Sequence, residues 1–189
     1  GTFFEMGCFS MYPAKVMTSG EGGFIVTNNK KLRDKLLMIR NHGMLKGYDT
    51  RLLGLNLRLP EINAAIATVQ MKKLPKFLKT REKNAKLLSK LLSKSNLDLP
   101  LERKNENVNW YLYTVSTPKR NMLLKKLNAK GIGAASYYPI PVHKTPFYKS
   151  KTKLPITDWA ASSVLSLPIH PKVTTKNIEF IAKTVLEVL

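Results

Sequence analysis

The chain has 189 residues, 43% of them hydrophobic, enough for one ordinary domain or two small ones with a real core. Its 32 Lys and Arg against 12 Asp and Glu give a formal charge of +20, which favours acidic partners: nucleic acid, an anionic membrane surface or phosphorylated small molecules. A single cysteine, Cys8, excludes an internal disulfide, and no window reaches the ~18 apolar residues of a membrane span, so a cytoplasmic protein without a signal peptide is expected.

In chain order, residues 7–12 are a short apolar run that predicts a strand, and GGFIVTNN (22–29) predicts a second strand closed by an Asn-Asn turn. Asn29 is placed to cap a helix over 30–43, where Leu32, Leu36, Leu37 and Ile39 recur at helical spacing and Gly43 is the stop. A loop with Gly47 and Gly54 leads to a helix over 60–74 that begins with Pro60, at the first-turn position where proline is tolerated. Pro75 is expected to separate it from a longer helix over 76–95. That helix has an apolar stripe (Leu74, Leu78, Ala85, Leu88, Leu92) and a lysine stripe at the same spacing (Lys76, Lys79, Lys83, Lys86, Lys90). WYLYTVS (110–116) predicts a strand, KRNMLLKKLNAKG (119–131) a helix ended by Gly131, and IGAASYY (132–138) a further strand. Helices over 157–166 and 174–188 close the chain, the last capped from Thr174. The order of elements is α/β, and the composition shifts near Pro75, which divides the chain into expected domains 1–75 and 76–189.

Within this order FSMYPAKVMTSGEGGF (9–24) stands out. A lysine in so basic a chain is ordinarily a solvated charge. Lys15 instead follows an apolar strand and a turn forced by Pro13, and precedes Gly20, Gly22 and Gly23, which permit close backbone approach to a ligand. A partly desolvated amine there favours the neutral form that a Schiff base needs.

The pattern F-S-x-Y-P-x-K-x-x-x-x-G-E-G-G resembles the pyridoxal-phosphate lysine segment of the DegT/DnrJ/StrS sugar aminotransferases, which have the fold of aspartate aminotransferase. RNHGM (40–44), LGLNLRLPEINAAIA (53–67), YYPIPVH (137–143) and SLPIHP (166–171) resemble further segments of that family, in its order and over nearly the whole chain. The resemblance implies the C-terminal part of a fold-type-I large domain, residues 1–75, followed by a small α+β domain, 76–189, with a long linking helix. It implies that Lys15 is the Schiff-base lysine and that Ser10 holds the cofactor phosphate. It implies that Asn56, supported by Arg58, reaches the phosphate in the partner subunit of a homodimer. Tyr138, His143 and His170 fall in segments near the substrate, and no metal is implied. Leu55 and Leu57 stand where aromatics are common in the family and Pro60 where threonine is usual; these departures bear on the substrate side of the loop.

The resemblance further implies an amino-acid donor, glutamate or glutamine, and a nucleotide-linked keto sugar as acceptor. A pyridoxal-phosphate enzyme needs an acid against the pyridinium nitrogen so that the ring acts as an electron sink. By the family's pattern that acid would fall before residue 1, and Glu5, the only acid before Lys15, is too close in sequence to replace it. The chain is therefore expected to correspond to a truncated C-terminal half, binding the cofactor weakly or not at all by itself and not transaminating. The other function class is a non-catalytic basic binding or regulatory protein that acts on nucleic acid, held on its lysine stripe, or on another acidic partner. No nucleic-acid motif accompanies that stripe and no aromatics interleave with it, so a solvated helix face is the plainer account.

Overall fold

The computed structural model describes residues 3–189; Gly1 and Thr2, the first residues of the expected 1–75 domain, lie outside the described residues. The chain divides after Pro75 into two compact units.

In the first unit, β1 (Gly7–Ser10) and β2 (Gly23–Val26) pair antiparallel, with Gly7 opposite Val26 and Ser10 opposite Gly23. Phe9 and Phe24 face each other in this register and stack with ring centroids 4.8 Å apart. α1 (Lys30–Arg40) starts where Asn29 Oδ1 accepts from the Leu32 N–H at 3.2 Å, so one of the orphan donors of the first turn is satisfied. It ends where the Gly43 N–H returns to the Met38 carbonyl at 2.8 Å, with Gly43 in the left-handed region at φ 73°. α1 buries no residue fully, and Met11 is the one buried apolar side chain among the described residues of this unit.

The expected break at Pro75 does not occur. α2 runs without interruption from Glu61 to Leu92, with Pro75 inside it. Proline removes one N–H and crowds the carbonyl four residues earlier. Ending a helix there also needs a stop and a new start, and neither Met71–Leu74 nor Lys76–Lys79 offers a C-terminal glycine or an N-cap side chain. The lysine stripe lies on an exposed face of α2, whereas Ala85, Leu88 and Leu92 are buried.

The second unit carries the core. β3 (Tyr113–Ser116) and β4 (Val164–Leu167) are antiparallel, Tyr113 opposite Leu167 and Ser116 opposite Val164. α3 (Arg120–Ala129) packs against β4 and against α5 (Thr175–Val188), and α4 (Pro155–Ser163) leads directly into β4. Leu88 and Leu92 of α2 meet Tyr113, Val115, Leu123, Leu127, Leu165, Ile178 and Val185 in one cluster. Two of the polar side chains taken into it are paired, whereas Trp110 Nε1, also buried in it, has no hydrogen-bond partner. The Tyr113 hydroxyl lies 2.7 Å from Ser89 Oγ, and Asn84 Nδ2 donates to the carbonyls of Val173 at 3.0 Å and Ile169 at 3.3 Å. The capping box of α5 is complete, with Thr174 Oγ1 accepting from the Asn177 N–H and Asn177 Oδ1 accepting from the Thr174 N–H.

Two further expectations are corrected here. The helix read over 157–166 is shorter and earlier, and its last residues are β4. Nothing in SSVLSL punctuates the change; Val164–Leu167 is drawn into strand by its ladder to β3. Residues 132–138 are not a strand either, since Ala135 alone bridges Ser166. The Ala134 N–H turns back on the Ile132 carbonyl at 2.7 Å, and Ser136 Oγ donates to the Val164 carbonyl at 3.0 Å, which takes the acceptor a longer ladder would use.

Candidate active site

Lys15 lies on the loop between β1 and β2. The loop is closed by its own bonds: Met11 N–H to the Gly22 carbonyl at 2.9 Å, Ser19 N–H to the Met11 carbonyl at 3.1 Å, and Thr18 Oγ1 to the same carbonyl at 3.0 Å. After Pro13 the Lys15 N–H donates to the Tyr12 carbonyl at 2.9 Å, which makes the turn that carries the side chain, and Lys15 is half-buried. Ser10, the last residue of β1, accepts the Tyr12 N–H on its Oγ at 3.2 Å and is exposed. The glycine run does not stand open to a ligand at every position. The side a Cβ would take on Gly22 is filled by Leu59, and on Gly23 by the Phe9 carbonyl across the strand pair.

A second seam joins RNHG to LGLNLR. His42 N–H donates to the Leu55 carbonyl at 3.0 Å, Leu55 N–H to Ile39 at 2.9 Å and Leu57 N–H to Arg40 at 2.9 Å, while Asn41 and Asn56 form an antiparallel bridge. Gly43 and Gly54 make this possible. A Cβ on Gly54 would lie 2.1 Å from the Gly43 nitrogen, and one on Gly43 would lie 1.7 Å from the Leu52 carbonyl oxygen. Arg58 Nη1 donates to Asn41 Oδ1 at 2.6 Å, and both Asn56 and Arg58 are exposed. The two seams meet at the entry to α2, where Asn63 Nδ2 donates to the Ser19 carbonyl at 2.6 Å and Leu59 covers Gly22. Ser10, Lys15, Asn56 and Arg58 thus share one unit. Asn41 and Asn63, which hold Arg58 and the lysine loop, were inside the motif segments but were not singled out by sequence.

Tyr138, His143 and His170 belong to the second unit. Tyr138 is exposed and meets Tyr137 edge-on with centroids 5.7 Å apart. His143 sits in a short 3-10 turn, Val142–Lys144, with Nε2 buried and 4.0 Å from Asp158 Oδ1, the oxygen that Lys144 Nζ holds at 2.7 Å. Asp158, in the first turn of α4, is a neighbour that sequence reading did not supply. His170 Nδ1 accepts the Lys172 N–H at 3.3 Å, and partial burial, assisted by the Arg81 charge, holds its pKa below the usual histidine range. Burial likewise lowers the Arg81 guanidinium pKa, an electrostatic interaction with Tyr111 opposing it, and Arg81 Nη1 donates to the carbonyls of Trp110 and Tyr111, each at 3.1 Å.

The first unit also contains a cavity of about 830 Å³, lined by β1, β2, α1 and residues 57–63, with Arg58 on its wall and Lys15 outside it. The donor set of that unit suits pyridoxal phosphate: a half-buried amine on a fixed turn, a serine hydroxyl at a strand end five residues before it, and an exposed amide and guanidinium for a phosphate.

The chain is similar to known proteins. The model of the DegT/DnrJ/EryC1/StrS aminotransferase family matches residues 1–186. A pleiotropic regulatory protein of Geobacillus stearothermophilus is 33% identical over 187 residues, covering 95% of this chain and 50% of that protein. The dTDP-3-amino-3,4,6-trideoxy-alpha-D-glucose transaminase of Streptomyces venezuelae is 35% identical, covering 88% of this chain and 46% of that protein. A crystal structure of S. venezuelae DesV in complex with a ketimine intermediate superimposes with a TM-score of 0.92 at 32% identity, covering 96% of this chain and 51% of that one. The chain spans about half the length of the curated relatives it matches.

Proposed function

The chain belongs to the DegT/DnrJ/EryC1/StrS aminotransferase family, and from that premise we propose that it supplies the lysine-bearing half of a pyridoxal-phosphate aminotransferase acting on a nucleotide-linked keto sugar. The amino donor in this reading is glutamate or glutamine. Residues 1–75 are the lysine-bearing part of the cofactor domain and 76–189 the small domain. The observation that carries the reading is the position of Lys15, half-buried on a turn that its own backbone bond to Tyr12 fixes, five residues after Ser10. The dTDP-sugar and UDP-sugar transaminases among the relatives support the substrate class.

Pyridoxal phosphate, when bound, supplies an electron sink for charge at the reacting carbon. Lys15 would hold the cofactor through its amine and would carry a proton to and from that carbon. Ser10 Oγ accepts from the Tyr12 N–H and, since a hydroxyl has both capacities, would donate to a phosphate oxygen of the cofactor. Asn56 and Arg58 extend to the phosphate in a partner subunit, so the working assembly is a homodimer; their exposure and the Asn41 contact that orients Arg58 support this. Tyr138, His143 and His170 serve the substrate side.

The test is a chimera in which this chain replaces the matching half of the S. venezuelae transaminase. Borohydride reduction in the presence of the cofactor is expected to fix the pyridoxyl group on Lys15. Reduction onto another lysine, with Lys15→Ala still transaminating, would reject the assignment.

A further inference from the structure

In the second unit, the loop that follows Tyr138 is closed on itself. Lys144 N–H donates to the Pro141 carbonyl at 2.9 Å, Thr145 N–H and Oγ1 to the Val142 carbonyl at 3.1 and 2.8 Å, and Ser150 N–H to the His143 carbonyl at 2.8 Å. These bonds make residues 141–150 a compact turn but anchor it to no other element. Among the described residues, the hydrogen bonds and ion pairs that reach from this turn past Thr152 all end on Asp158. Asp158 Oδ1 is buried, forms an ion pair with Lys144 Nζ at 2.7 Å and faces His143 Nε2 at 4.0 Å; that nitrogen is itself buried and without a hydrogen-bond partner. The His143 side chain is only 14% exposed, so the ring is turned into the protein.

We propose that Asp158 is the positioning residue of this loop: its carboxylate, held by Lys144 and faced by His143, fixes residues 141–150 on the first turn of α4 and so sets where the segment from Tyr138 to His143 stands against the substrate. A carboxylate oxygen has capacity for more than one donor, and one partly withdrawn from water holds an ammonium more firmly than an exposed one. Asp158 is itself in a fixed place. Its N–H donates to the Leu154 carbonyl at 2.9 Å, and α4 leads directly into β4, so the loop is referred to the sheet. A negative charge in the first turn of a helix also suits the helix dipole. The dipole does not explain why two side chains of a separate turn converge on one oxygen. A loop already held in its binding position saves the ordering cost that a ligand would otherwise meet, so the effect falls on substrate affinity. What the loop serves rests on the aminotransferase reading; that Asp158 holds it does not.

Diethyl pyrocarbonate modification, read by peptide mass, follows His143 against His42 and His170, the other two histidines, both exposed. In the 189-residue chain Asp158→Asn is expected to raise the His143 rate about fivefold, with Asp158→Glu staying near the original rate. Lys144→Gln is expected to raise it similarly, and the double variant no further, because both changes break one contact. An unchanged His143 rate in Asp158→Asn, or effects of the two changes that multiply, overturns the proposal. Loss of the cooperative urea transition in Asp158→Asn would mark a failure to fold, and Lys144→Gln, which leaves α4 untouched, then decides by the same readout. The chimera is assayed with dTDP-3-amino-3,4,6-trideoxy-alpha-D-glucose, the sugar in that transaminase's name. There Asp158→Asn is expected to raise KM for the sugar about fivefold while kcat stays within about twofold, and Asp158→Glu to recover it. A fall in kcat with KM unchanged, or no kinetic change, overturns the positioning role. Protection of His143 through Asp158 in a chimera that does not transaminate would reject the aminotransferase reading and leave the anchor standing.

Discussion

Gly43→Ala tests the seam that carries Asn56 and Arg58. The new Cβ would lie 1.7 Å from the Leu52 carbonyl oxygen, while ordinary contact begins at 3.4 Å, so the two backbone segments must part by about 1.7 Å. Bonds of 2.9 Å from the Arg51 N–H to Gly43 and 3.0 Å from the His42 N–H to Leu55 do not survive that displacement. At roughly 1 kcal/mol each they account for about 2 kcal/mol, and an alanine at φ 73° adds about 1 kcal/mol. Gly47→Ala is the control. Its φ of 58° carries the same backbone cost, but nothing lies within 4 Å of its Cβ. The expected difference is about 2 kcal/mol, which native-state hydrogen exchange reads as roughly 30-fold faster exchange at the Leu55 and Leu57 amides in Gly43→Ala. Equal exchange in the two variants would refute the argument that backbone proximity, rather than left-handed conformation alone, requires glycine at 43.

Three other outcomes are expected. Leu88→Ala, at a fully buried position, is expected to cost about 2–5 kcal/mol in urea denaturation, whereas Leu91→Ala on the exposed side of the same helix stays within about 0.5 kcal/mol. Thr174→Ala removes the acceptor for the Asn177 N–H and is expected to lower stability by about 1 kcal/mol, with Thr174→Ser recovering most of it. His170 has a lowered pKa in the folded chain, so below the usual histidine value of about 6.5 the unfolded chain binds a proton that the folded chain does not. Stability is expected to fall as pH drops through that window and to level off below the folded value. His170→Asn should flatten the dependence, and an unchanged slope in denaturation between pH 7.5 and 5 would remove His170 as its source.

Much of the local structure was readable from residue types because the relevant forces act over a few positions. Asn29 and Thr174 cap their helices as side chains placed before an apolar periodicity do, and Gly43 ends α1 where a left-handed residue is required. The family was recognised from the resemblance of five segments, in one order, to those of a known family, and the fold was what that resemblance implied. Lys15, Ser10, Asn56 and Arg58 were named from those motifs, but Asn41, Asn63 and Asp158 acquire their roles only from contacts distant in sequence. Pro75 shows the limit of local rules: one lost hydrogen bond does not end a helix that lacks both a stop and a new cap, and whose later turns bury Leu88 and Leu92. β4 shows it from the other side. Val164–Leu167 has the composition of a helix end and becomes strand because Tyr113–Ser116 offers it a ladder, and Ser136 then prevents residues 132–138 from extending the sheet by taking the Val164 carbonyl with a side chain. Sequence by itself determined the caps, the helical periods and the motif residues, because each depends on neighbours within one or two turns. Which segments pair, and where pairing stops, was decided by the tertiary structure, because a backbone hydrogen bond is satisfied by whichever partner folding brings within 3 Å.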